Sequence, residues 1–145
     1  MAELIAHRGN LKGPSQYENS PSYVLDAVKL GYKVEVDIWY CDGDWYLGHD
    51  YPRYLIDSDF ISHISGVAFL HAKNLSALYA MLSIGGVSCF WHENDDYTLT
   101  SCGKIWTYPN KMITSNSIIV CQNKLDTEKY ISSNAFGVCS DYIIS

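Results

Sequence analysis

The chain has 145 residues, a length typical of one domain, and its 48% apolar and 18% charged residues indicate a folded protein rather than a disordered one. Its net charge of −6 and pI near 5.2 exclude the broad basic surface that nucleic-acid binding requires. No apolar run approaches the ~20 residues that a transmembrane helix needs. We therefore expect one domain spanning residues 1–145, with neither a nucleic-acid partner nor an integral membrane segment.

The cysteines and the start of the chain indicate a cellular compartment. The five cysteines are odd in number and include no Cys-x-x-Cys pair, so we interpret them as small buried apolar residues in a reducing environment. The first apolar run begins at Leu4 and leaves no room for a signal peptide. We expect a cytoplasmic protein.

Short apolar runs, several ending in His, Asp or Lys, alternate along the chain with helical or polar segments. Their content of Val, Ile, Phe and Trp is typical of strands. An Asp-Gly pair at residues 42–43 suits a tight turn and predicts an additional hairpin. The seven candidate strands are residues 4–7, 33–39, 67–73, 87–92, 104–108, 117–121 and 137–141.

Between these strands the sequence predicts short helices, because capping residues and glycines bound the intervening segments. Segments 94–103 and 109–116 are too short or too polar for a covering helix. Strands that alternate with helices favour a parallel sheet. The predicted helices span residues 21–30, residues 74–83, and a segment from 126 or 127 to 131.

Two carboxylates stand two residues apart in the second candidate strand. Because strand side chains alternate, Glu35 and Asp37 share one face while Val34, Val36 and Ile38 point to the other. Burying both carboxylates without a cation is unfavourable, and together they can bind a divalent ion. The alternative is an edge strand with a solvated polar face.

Other polar residues stand at the ends of candidate elements. Arg8 carries a guanidinium that suits a phosphate, and Gly9 allows a sharp turn. His7 there can equally be structural, Glu18 can belong to a helix cap, and His49 can be a loop residue without a role.

Taken in order, these elements resemble the opening half of the glycerophosphodiester phosphodiesterase family. That family shows His-Arg-Gly, Glu-Asn-Ser/Thr, Glu-x-Asp and His-Asp with similar gaps. The corresponding segments here are IAHRG (5–9), ENS (18–20), GYKVEVD (31–37) and GHD (48–50). Further on, IWTYP (105–109) is similar to the family's late Trp-Thr strand, and GVCSDY (137–142) to its final strand.

The resemblance implies a fold, which is a reduced TIM-like parallel α/β barrel with about seven main strands and short covering helices. Its site would lie at the C-terminal ends of the strands. The resemblance also implies that His7 and His49 act as acid and base and that Glu35 and Asp37 bind a metal. Arg8 would hold the phosphate, with Glu18 at the edge of the site.

The third candidate strand departs from the family pattern. Where the family has Ile-Glu-x-Lys, this chain has Leu70-His71-Ala72-Lys73. Lys73 fits the phosphate-binding lysine, and Trp106 of the later strand is a further expected substrate contact. His71 replaces the third metal ligand, and its nitrogen favours Mn²⁺ or Zn²⁺ over the Mg²⁺ or Ca²⁺ that the family implies. Alternatively, His71 binds phosphate directly and the metal is lost.

The fourth candidate strand ends in the polar run His92-Glu93-Asn94-Asp95-Asp96. We interpret it as a solvated loop, the alternatives being a supporting element of the site or part of a metal site.

The expected function is metal-dependent hydrolysis of a small glycerophosphodiester-like substrate. In the family, a hydroxyl of the substrate's own alcohol attacks phosphorus, and water then opens the cyclic phosphate. One alternative is a non-catalytic barrel that binds phosphate or a phospholipid head group. Another is a related lyase that releases a cyclic phosphate. We also expect a homo-oligomer, because segments 94–103 and 109–116 leave part of the barrel wall uncovered.

Overall fold

The computed structural model describes residues 1–144, which form ten strands and four helices. The strands are β1 (Glu3–His7), β2 (Lys33–Cys41), β3 (Asp44–Leu47), β4 (Tyr54–Ile56), β5 (Ala68–Ala72), β6 (Ser88–Phe90), β7 (Tyr97–Leu99), β8 (Ile105–Thr107), β9 (Ser117–Cys121) and β10 (Gly137–Ser140). The helices are α1 (Pro21–Lys29), α2 (Ser58–Ile64), α3 (Leu75–Ile84) and α4 (Lys124–Ile131).

Each helix begins at a side-chain cap. Ser20 caps α1, Asp57 caps α2 and Asn74 caps α3, each accepting a hydrogen bond from the backbone N–H three residues on. The three predicted helices are confirmed, but α4 starts earlier than predicted because Asn123 caps it. Helix α2 was not predicted. Within residues 1–144, no helix is both long and apolar enough to cross a membrane.

All seven predicted strands form, and they run parallel to one another in the order β6-β5-β2-β1-β10-β9-β8. The predicted hairpin is β2–β3, which β4 extends. Strand β7 pairs antiparallel with β8. Within residues 1–144 the first and last strands of this parallel order, β6 and β8, do not pair with each other, so the structure is a mixed α/β fold around a curled, half-barrel sheet.

Two aromatic stacks join β6 and β8, or the residues that directly follow them, across the gap in the parallel order. The rings of Phe90 and Trp106 are 4.4 Å apart, and nearer the C-terminal ends those of His92 and Tyr108 are 4.8 Å apart. In addition, the Ser101 N–H donates to the Cys89 carbonyl at 2.8 Å. We define this set of contacts as the seam.

Side-chain alternation gives the curled sheet an apolar floor and a polar rim. On the outer face of β2, Val34, Val36 and Ile38 belong to the core that includes residues of α1 and α3. On the inner face, the polar side chains stand at the C-terminal ends of the strands, above one apolar cluster. That cluster is Ile5, Phe69, Phe90, Trp106, Ile118, Val120 and Cys139.

The five cysteines are unpaired thiols, and Cys89, Cys121 and Cys139 are buried as expected. Burial raises the pKa of Cys121 to about 12. For Cys102 the expected burial is wrong, because this residue lies exposed in the turn between β7 and β8.

Candidate active site

The C-terminal ends of the parallel strands and the loop after β3 enclose one cavity of about 350 Å³. Besides Glu18, which pairs with Arg8 at the edge of the site, the sequence predicts eight site residues, and all eight lie on the cavity wall. They are His7, Arg8, Glu35, Asp37, His49, His71, Lys73 and Trp106.

Three of these residues form a compact donor cluster. Glu35 and Asp37 are buried side by side on β2, with side chains 3% and 1% exposed, and His71 pairs with Asp37 in register on β5. One potential ligand atom from each residue lies within 4.8 Å of the other two. Strand β2 is bordered by β1 and β5, so the alternative of a solvated edge strand is wrong.

The contacts around His71 fix the orientation of its ring and the partner of each ring nitrogen. Its Nδ1 lies 3.1 Å from Asp37 Oδ1 and 3.8 Å from Glu35 Oε2, while its Nε2 lies 3.3 Å from the His92 carbonyl oxygen. Phe90 stacks on the ring at 4.9 Å. With Nε2–H donated to the carbonyl, Nδ1 faces the carboxylates, where it donates to Asp37 when the ring is protonated and can bind a cation when the ring is neutral. Two carboxylates and one imidazole nitrogen therefore fit a divalent ion.

The two carboxyl groups titrate differently. Burial and the neighbouring Asp37 charge raise the pKa of Glu35. Burial also opposes ionisation of Asp37, but hydrogen bonds from His71 and Asn19 and the charges of His71 and Arg8 lower its pKa to about 2. Asp37 is thus ionised at neutral pH, whereas burial and the Asp37 charge disfavour the charged form of Glu35, which a bound cation would stabilise.

Asn19 holds Asp37 from two sides. Its side chain donates to Asp37 Oδ2 and accepts from the Asp37 backbone N–H, both at 2.9 Å, and it is buried. Its φ of 65° is one that Asn tolerates better than most residues.

We expect Asn19→Ala to lower the free energy of unfolding by about 1–3 kcal/mol, because both buried partners lose a hydrogen bond. Urea denaturation measures this loss. Asn110→Ala is the matched control, since Asn110 has a φ of 66° but an exposed side chain. Equal losses in the two variants would show that the backbone conformation, not the bonding to Asp37, accounts for the effect.

Arg8 follows β1 and is bound by two carboxylates. Its Nε lies 3.2 Å from Asp37 Oδ2, and its Nη1 lies 3.2 Å from Glu18 Oε2. Gly9 is required beside it, because a Cβ at this position, where φ is 84°, would lie 3.0 Å from the Tyr23 ring. The guanidinium is therefore fixed in orientation at the cavity wall.

His7 forms a carboxylate–imidazole pair that the sequence did not predict. Its Nδ1 lies 2.8 Å from Asp141 Oδ1 and its Nε2 lies 3.8 Å from Glu35 Oε1. Burial lowers the pKa of His7, but Glu35 and Asp141 outweigh burial and raise it overall. Asn10, fully buried, donates to both Asp141 and Glu18. The sequence feature that could have indicated Asp141 is its position at the end of the last candidate strand, residues 137–141.

The remaining predicted residues differ in exposure. His49 stands on the rim, with its side chain 42% exposed and its Nδ1 2.7 Å from Asp50 Oδ1. Lys73 follows β5 and lines the cavity. Trp106 is 4% exposed and stacks on Phe90, so most of its ring belongs to the apolar floor.

The expectation of a solvated loop after β6 is wrong for His92. Its side chain is 7% exposed, lines the cavity and stacks on Tyr108 in the seam. Burial and the nearby His71 lower its pKa. Glu93 and Asp95 are exposed, as expected. Sequence reasoning missed His92 because the polar run that follows it is typical of a loop.

Comparisons with known proteins bear on the fold. No protein-family model matches the sequence, and no curated protein sequence matches it. The chain is similar to the crystal structure of a putative glycerophosphodiester phosphodiesterase from Galdieria sulphuraria, with a TM-score of 0.55 and 11% identity over 99% of this chain and 95% of that chain. At this identity the similarity establishes a shared mixed α/β fold.

Proposed function

We propose that this protein is a metal-dependent phosphodiester hydrolase that acts on a small glycerophosphodiester-like substrate. The observation that carries the proposal is the cluster of Glu35, Asp37 and His71, which shares one cavity with Arg8 and His7. The four ordered sequence motifs support it, as does the name of the structurally similar protein.

Glu35, Asp37 and His71 would hold the divalent ion. A bound ion would neutralise charge on the phosphoryl oxygens. The imidazole favours Mn²⁺ or Zn²⁺, while the two carboxylates also accept Mg²⁺ or Ca²⁺.

The cationic side chains on the cavity wall suit the phosphoryl group. Arg8 is oriented by Asp37 and Glu18, and Lys73 lies on the same wall. Both would bind phosphoryl oxygens, Arg8 through the N–H groups that its two carboxylate partners leave free. Trp106 would contact the substrate from the floor.

His7 and His49 would transfer protons. His7 Nε2 accepts the proton of the attacking hydroxyl as the new O–P bond forms, and its raised pKa makes it a stronger base. His49 donates a proton to the oxygen that leaves as the old P–O bond breaks. In the second step water attacks the cyclic phosphate and the proton transfers run in reverse.

We also propose that the sheet and the seam together form a reduced TIM-like barrel. We further propose that the protein is cytoplasmic. The two aromatic stacks and the Ser101–Cys89 hydrogen bond support closure across β6 and β8. An apolar floor beneath polar strand ends is the arrangement of such barrels.

Phosphorus NMR of glycerophosphodiesters incubated with the protein tests the function, with Mg²⁺, Ca²⁺, Mn²⁺ and Zn²⁺ supplied in turn. A phosphomonoester as the final product supports the hydrolase, and a cyclic phosphate as the final product identifies a lyase. An unchanged diester together with saturable binding of glycerol phosphate identifies a binding protein.

We expect a homodimer, and the outer face of α3 is the surface best suited to it. Leu75, Tyr79 and Leu82 lie on one helical face, are exposed, and belong to a helix without a charged residue. Light scattering should therefore show about twice 16.4 kDa, and Leu82→Glu should shift the mass toward the monomer. Leu125→Glu on α4 is the matched exposed control. A mass of 16.4 kDa at every concentration contradicts this prediction.

A further inference from the structure

His92 carries two ring nitrogens without a hydrogen-bond partner among residues 1–144, although its side chain is only 7% exposed. Nδ1 is sealed from solvent, and Asp95 Oδ2 lies 3.9 Å away, beyond hydrogen-bonding distance. Nε2 remains accessible on a ring that lines the cavity. Nδ1 is thus a rare unpaired buried group, and Nε2 is the nitrogen of this ring that a ligand in the cavity can reach.

The charges around His92 indicate which part of a substrate it faces. The cations Arg8 and Lys73 line the same cavity and account for the phosphoryl group. Glu93, adjacent to His92 and also on the wall, repels an anion but accepts a hydrogen bond from a hydroxyl. Lys73 also acts on His92, but more weakly than Asp95 and Glu93 do, so a polar, uncharged part of the substrate fits this end of the cavity better than an anion.

We propose that His92 hydrogen-bonds through Nε2 to a hydroxyl of the substrate's alcohol, beyond the phosphoryl group. This assignment rests on the proposed function, since it takes the cavity as the phosphodiester site. It makes His92 a specificity-determining residue that favours a hydroxylated alcohol over an alkyl one. The competing role is purely structural, in which the ring only stacks on Tyr108 to complete the seam.

Calorimetry of His92→Phe separates these roles, because phenylalanine keeps an aromatic ring in the seam but offers no ring nitrogen. With one equivalent of Zn²⁺ present, we expect glycerol 3-phosphate to bind about 10-fold more weakly than to the wild type. Inorganic phosphate, which has no alcohol, should bind within about twofold of the wild type. His63→Phe, at an exposed histidine of α2, is the control and should change neither affinity.

Equal weakening of both ligands in His92→Phe would place the contact on the phosphate and overturn the proposal, as would no weakening of either. If the variant does not fold, histidine side-chain NMR of the wild type decides: glycerol 3-phosphate should shift the His92 ring signals more than phosphate does, and the absence of such a difference overturns the proposal. A wild type that hydrolyses no diester yet shows this ligand difference refutes the hydrolase and keeps the His92 contact. If the wild type hydrolyses diesters while His92→Phe binds glycerol 3-phosphate as tightly as the wild type, the hydrolase is supported and the His92 contact is refuted.

Discussion

Replacing Glu35 with Gln and Asp37 with Asn together is expected to weaken divalent-ion binding by at least about 100-fold. Mutation of residues that only hydrogen-bond to metal ligands typically weakens metal affinity 10–100-fold, and here two of the three ligands themselves lose their charge. Calorimetry with Mn²⁺ and Zn²⁺ measures the loss. Turnover should fall in parallel, and chelation of the wild type should abolish it.

The control for this double variant is Glu3→Gln with Asp44→Asn, which removes two exposed strand carboxylates and the same total charge. It should leave both ion binding and turnover unchanged. Diester turnover that persists in excess EDTA would refute the metal-dependent mechanism.

His7→Ala is expected to reduce turnover by roughly 10²–10⁴, the usual contribution of a positioned proton-transfer group. Substrate affinity should change much less, because Arg8 and Lys73 still bind the phosphoryl group. Steady-state kinetics separates the two effects as a fall in kcat with a nearly constant KM. His63→Ala is the matched control on an exposed helix.

Turnover that depends on His7 should also respond to pH through Asp141, which pairs with its ring. The Asp141 carboxylate helps to raise the pKa of His7, so Asp141→Asn should lower that pKa. The limb of the pH–rate profile that reports His7 should then move to lower pH. The wild-type profile should be bell-shaped, as expected for one general base and one general acid. Full activity in both His7→Ala and His49→Ala would place the catalytic site elsewhere.

The parallel strands could be predicted from sequence because each is a short apolar run between turn or capping residues. Strands β4 and β7 could not, since each pairs only with an antiparallel neighbour, β3 or β8, outside the repeating parallel pattern. Helix α2 has only seven residues, and its mixed polar sequence resembles the loop around it. These elements depend on tertiary contacts more than on local pattern.

In the site, too, some features follow from local sequence and others depend on tertiary contacts. The spacing of Glu35 and Asp37 predicts that they share a strand face, whereas their role and that of His71 as metal ligands come from the resemblance of the motifs. The pairing of His7 with Asp141 joins residues 134 positions apart, which no local motif encodes. Burial of His92 depends on Tyr108 across the seam, while the acidic residues after it indicate a loop.

A crystal structure with Mn²⁺ and glycerol phosphate would show whether the three-residue cluster binds a metal ion, because anomalous scattering locates the ion independently of the protein. We expect one Mn²⁺ bound by Glu35, Asp37 and His71, with the phosphate between that ion and Arg8. An ion held by other residues, or a phosphate bound at the three-residue cluster without any ion, would contradict this expectation.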